Sequence, residues 1–139
     1  MFRTRKRKEE ILANPFVHVE LSTPDPEKSK AFYSRLFQWQ LQDLPNTAVP
    51  GGTYTMIRVG ETRMGGAEGG MMKQREGAPS GWLAYVLVED IHASTRQAQA
   101  LGAAIMKDVM EVPGTGWLSI IRDPAGAMLG MWQPKQMKK

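Results

Sequence analysis

The stretch 18-HVELSTPDPEKSKAFYSRLFQW-39 changes its period at Asp25. Ahead of Asp25, polar and apolar residues alternate as in a half-buried strand, with His18 and Glu20 on the polar face. Beyond it, Phe32 and Leu36 fall on one helical face at i, i+4. Asp25 stands where an N-cap carboxylate accepts orphan backbone N–H bonds, and Pro26 takes the first helical position, where its missing N–H costs nothing. The stretch therefore predicts a strand, a capped turn and a helix.

The same pattern returns in 83-LAYVLVEDIHASTRQAQALG-102. Asp90 is the matching cap, Ile91, Ala98 and Leu101 share a face, and Gly102 ends the helix. His18 precedes Asp25 by seven residues, and Leu83 precedes Asp90 by seven. Each helix is followed by a Pro-Gly turn, a strand ending in Arg and a glycine-bearing strand, in 50-PGGTYTMIRVGETRMGG-66 and 113-PGTGWLSIIRDPAGAMLG-130. Matched positions lie 63–65 residues apart. The chain thus reads as two β-α-β-β-β modules, 16–70 and 81–134, each too short to close a core alone. Between them, 65-GGAEGGMMKQREGAPSG-81 has the composition of a linker.

Net charge is +4 over 139 residues, but the basicity is terminal. An arm (1–15) carries five basic residues in RTRKRK, and a tail (135–139) carries three; residues 11–134 hold ten basic and twelve acidic side chains. No basic stripe marks a nucleic-acid surface, so nucleic acid is not an expected partner. No apolar run reaches the ~18 residues of a membrane helix, and no apolar segment follows the basic start, so no membrane partner and a cytoplasmic location are expected. The absence of cysteine excludes disulfides, thiolate chemistry and cysteine-ligated zinc.

Residues 18–39, with Phe-Tyr followed by Leu-Phe-x-Trp, and 123-DPAGAMLGMW-132 together resemble the vicinal oxygen chelate superfamily, which includes glyoxalase I, extradiol dioxygenases, methylmalonyl-CoA epimerase and the bleomycin-resistance proteins. The resemblance covers 16–133 and is closest to small bacterial glyoxalase-like proteins. It implies an α+β fold: a U-shaped, mostly antiparallel eight-stranded sheet within one domain (16–134), helices outside and a pocket inside. It also implies a homodimer.

In metal-dependent members, four strand positions supply ligands. Carried onto this chain they are His18, Gly66, Leu83 and Gly130, of which one has a donor side chain. A divalent site needs about three protein ligands, so no cofactor is expected. The alternative is a relocated metal on His18 with Glu20 or Glu68, since alternation puts Glu20 on the face of His18 and Glu68 on that of Gly66. Against it, the outer strands of a module are expected to run antiparallel, so two-residue steps move the ligands in opposite directions.

The expected ligand pocket is lined by Met64, Gly66, Glu68, Leu83, Tyr85, Met128, Gly130 and Trp132. His18, supported by Glu20, is the candidate acid–base group, as its ordinary pKa suits proton transfer at neutral pH. A histidine merely satisfied by a neighbouring strand fits the same pattern. Three functions stay open: a metal-free protein binding a small organic molecule, with proton transfer beside a carbonyl as the reaction class; a metal-dependent lyase, isomerase or dioxygenase; and a non-catalytic interaction domain. Lactoylglutathione lyase activity is not expected.

Overall fold

The structure, a computed structural model, describes residues 14–60 and 67–136. Its elements are β1 (Phe16–Thr23), α1 (Pro26–Leu36), β2 (Gln40–Pro45), β3 (Thr53–Arg58), β4 (Glu68–Lys73), β5 (Gly81–Leu87), α2 (Ile91–Ala100), β6 (Ala104–Val112), β7 (Gly116–Arg122) and β8 (Met128–Pro134). A single-turn helix, Pro50–Gly52, leads into β3. The fold class is the expected one: α+β, with an eight-stranded, mostly antiparallel sheet and two helices. Among the described residues, no helix is long and apolar enough to cross a membrane. The chain divides into two compact units, Val17–Tyr85 and Val86–Lys139 with Met1–Phe16.

In the first unit the strands lie in the order β2-β3-β4-β1-β5. Pairing is antiparallel for β2/β3 and β3/β4 but parallel for β1/β4. This corrects the expected antiparallel relation between the outer strands. Helix α1 carries the chain back so that β2 starts in the direction of β1, and two hairpin reversals then return β4 to that direction. One face of this sheet packs Leu21, Ile57 and Met71 under Tyr33, Trp39, Leu41 and Val59. Alternation turns His18, Glu20, Tyr54, Met56, Glu68 and Gly70 to the other face.

Strand β4 lies inside the segment expected to be a linker. Its glycines serve close packing rather than flexibility. A Cβ on Gly69 would sit 3.1 Å from the Val19 carbonyl oxygen, and Met71 beside it is fully buried. Helix α1 docks through a different face from the one shared by Phe32 and Leu36. Asp25 caps the helix through Lys28 N at 3.1 Å, and Pro26 opens it, as expected. Yet Phe32 and Leu36 stay exposed, because the helix docks through the neighbouring arc. There Ser29 bonds the buried Thr23 hydroxyl at 2.8 Å, Lys30 bridges Glu27 and Asp43, and Tyr33 stacks on Trp39.

The second unit orders β8-β7-β6 with antiparallel pairing. Asp90 caps α2 through Ala93 N at 3.1 Å. The helix sets Ile91 against Val88 and Met131, with Val109, Trp117 and Ile121 around them. Two buried hydroxyls satisfy one another here, Thr95 and Ser119 at 2.9 Å, while Thr95 also donates to the Ile91 carbonyl. Gly102 follows the helix with φ +105°, a conformation that glycine adopts without strain. His92 is exposed on α2.

Candidate functional site

Four side chains from three strands of the first unit join in one hydrogen-bonded chain. His18 Nε2 lies 2.9 Å from the Tyr54 hydroxyl. Tyr54 donates to Glu20 Oε2 at 2.9 Å, and Tyr85 donates to Glu20 Oε1 at 3.2 Å. The His18 and Tyr85 rings meet edge to face, with centroids 5.8 Å apart. Both carboxylate oxygens of Glu20 therefore accept a phenol.

The strand registers explain how Tyr54 reaches this far. On β4, Gly70 sits opposite Glu20 of β1 on one side and Met56 of β3 on the other. Tyr54, two residues along β3 from Met56, lays its ring across the bare Cα of Gly70. A Cβ there would collide with the Tyr54 hydroxyl and ring. Gly70 is thus the opening through which β3 contributes a side chain to β1.

Electrostatics sort the four groups into roles. Burial pushes the His18 imidazole below its ordinary pKa of 6.5, opposed in part by the charges of Glu20 and Glu68, so it is neutral at pH 7. Burial, then the negative charge of Glu20, holds both phenols far above the usual tyrosine range. Tyr54 and Tyr85 are donors, and neither is a base. His18 is left as the group able to accept a proton.

Of the residues singled out in the sequence, His18, Glu20 and Tyr85 come together, and Glu68 is the register partner of His18. Leu83 shares a face of β5 with Tyr85 by alternation. Met128, Gly130 and Trp132 share one face of β8 in the second unit. Met64 and Gly66 lie outside the described residues. Met56 pairs with Gly70 as Ile120 pairs with Gly130, so the strand position matching Gly130 is Gly70, not Gly66. Sequence reasoning missed Tyr54 and Gly70. The alternation in 53-TYTMIR-58 puts Tyr54 and Met56 on one face, but only the register shows what lies beneath them.

The donors do not fit the superfamily's four-ligand metal centre. With the register corrected, its places are His18, Gly70, Leu83 and Gly130, and the space at Gly70 is filled by Tyr54. The relocated set fares little better. The parallel pairing does bring Glu68 opposite His18, but both oxygens of Glu20 are engaged and His18 Nε2 is committed to Tyr54. Among the described residues, no three His, Cys, Asp or Glu side chains group closely enough to hold an ion.

Comparison with known proteins agrees with this fold. The model of the Glyoxalase/Bleomycin resistance protein/Dioxygenase superfamily matches residues 16–131. The chain belongs to that superfamily. Among curated proteins it is similar to one named "Putative glyoxylase CFP32" of Mycobacterium tuberculosis, at 35% identity over 121 residues, which is 83% of this chain and 44% of that protein. The chain thus spans less than half the length of that relative. Among solved structures it is similar to protein BH1468 of Bacillus halodurans, with a TM-score of 0.69, 13% identity and coverage of 92% and 99% of the two chains. It is also similar to Streptomyces coelicolor methylmalonyl-CoA epimerase in complex with 2-nitronate-propionyl-CoA, with a TM-score of 0.66, 13% identity and coverage of 90% and 97%. At such identities these superfamily neighbours support the fold alone.

Proposed function

We propose that this superfamily member binds a small organic molecule on the sheet face carrying His18, Tyr54, Glu20 and Tyr85, without a metal centre, and that His18 takes a proton from carbon next to the ligand's carbonyl. The observation behind this is the four-residue chain itself. It engages both oxygens of Glu20 and His18 Nε2, and it leaves a neutral imidazole as the proton acceptor. The name of one similar protein, a putative glyoxylase, agrees with a carbonyl-bearing ligand. A homodimer in the cytoplasm, with no nucleic-acid or membrane partner, belongs to the same proposal.

The test is NMR of hydroxyacetone in D2O with the protein and excess chelator. Exchange of the protons beside the carbonyl should be accelerated by the wild type and return to the buffer rate with His18→Ala. Acceleration that chelator abolishes would favour instead a metal held by His18 and Glu68, the pair that the parallel register makes neighbours. Binding of hydroxyacetone with no exchange would reduce the protein to a binding module. Sedimentation equilibrium decides the dimer.

A further inference from the structure

The direction of each hydrogen bond in the four-residue chain fixes more than the contacts do. A carboxylate can only accept, and a phenol has one proton to give. Glu20 accepts from Tyr85 and from Tyr54, so the Tyr54 proton is already committed. At 2.9 Å from Nε2, the Tyr54 oxygen can then only accept, and the proton between them belongs to Nε2. A neutral imidazole that is protonated at Nε2 carries its lone pair on Nδ1. Among the described residues, Nδ1 has no hydrogen-bond partner.

We infer that Glu20 and Tyr54 are positioning residues that lock His18 in the Nε2–H tautomer, and that the site therefore selects ligands offering a proton to Nδ1: a hydroxyl, an N–H or an acidified C–H. This rests on the proposed binding face and names the chemistry of what binds there. Glu20 acts on Nε2 through two successive hydrogen bonds, by way of the phenol. Tyr85 occupies the other oxygen of Glu20 and does not set the tautomer. Gly70 is part of the device, since the phenol crosses above it.

Long-range nitrogen–carbon-bound-proton NMR of histidine-labelled protein reads the tautomer directly, with His92→Gln assigning the second ring. The wild type should show a pyridine-type Nδ1 and a pyrrole-type Nε2. Glu20→Leu removes the acceptor for the phenol proton, which then turns to Nε2, so His18 should reverse to the Nδ1–H form. Tyr85→Phe should leave the wild-type tautomer in place. A merely structural Glu20 would unsettle the fold without reversing the two nitrogen shifts. An Nδ1–H wild type, or a Glu20→Leu variant that folds and keeps the wild-type tautomer, overturns the lock. Should Glu20→Leu fail to fold, the wild-type spectrum still decides.

Hydroxyacetone and methoxyacetone then probe selection, because they differ in one donor. Hydroxyacetone should move the His18 Nδ1 resonance, and methoxyacetone at the same concentration, which keeps only acidified C–H donors, should move it several-fold less. Equal responses, or no response to either, overturn the selection. Failure of catalysis in D2O leaves these signals untouched, so the two proposals fail separately.

Discussion

Replacing Gly70 with alanine should disable the site from a residue that does no chemistry. The added methyl lands on the Tyr54 ring and hydroxyl, so Tyr54 must leave its place. Its departure breaks the bond to the Glu20 carboxylate, worth roughly 1.5–3 kcal/mol, and the neutral bond to His18, worth roughly 0.5–1.5 kcal/mol. Reduced freedom of the unfolded chain returns roughly 0.5–1 kcal/mol. The net expectation is a loss of about 1–4 kcal/mol. Urea unfolding measures it as a lower midpoint with an unchanged slope. A double-mutant cycle assigns the cause. With Tyr54→Ala already present the three atoms nearest the added methyl are gone, so Gly70→Ala should cost far less than it does in the wild type. A Gly70→Ala protein as stable as the wild type, or one equally destabilised with and without the Tyr54 ring, would refute the reasoning.

Stability should also depend on His18 protonation. Its folded pKa lies below the unfolded 6.5, so the unfolded chain binds the proton first and stability falls as pH drops below about 6.5 towards the folded value. Above about 6.5 this contribution is flat, and comparing urea midpoints of wild type and His18→Gln across that window should show a shallower acid slope in the variant. Met71→Ala, in the fully buried centre of the first unit, should cost about 2–5 kcal/mol in the same assay. Asp25→Ala and Asp90→Ala should each cost about 0.5–2 kcal/mol, because each removes the acceptor for an orphan helix N–H.

What was legible in the sequence is what local chemistry decides. Asp25, Pro26 and Asp90 announce helix starts because a cap acts within three residues. Asp123 announces the last turn for the same reason, accepting from Ala125 N at 2.8 Å and Ala127 N at 3.0 Å. Alternation sufficed to put His18 and Glu20 on one face. It did not reveal Tyr54, whose role depends on a register across two further strands. Gly69 and Gly70 were misread because composition does not separate a glycine that frees the backbone from one that lets another group approach. Spacing put Phe32 and Leu36 on one face of α1 but did not say which face docks. Lys30, anchored by Glu27 and Asp43, shows that the docked arc lies further round the helix. The direction of β4 was missed because it follows from counting reversals along the whole unit.

Metal analysis by inductively coupled plasma spectrometry, on untagged protein purified without chelator, tests most directly whether the Tyr54–Glu20–Tyr85 chain stands where ligands would be. Wild type and His18→Ala should carry the same substoichiometric traces. One equivalent of a divalent metal in the wild type, lost in His18→Ala, would contradict it.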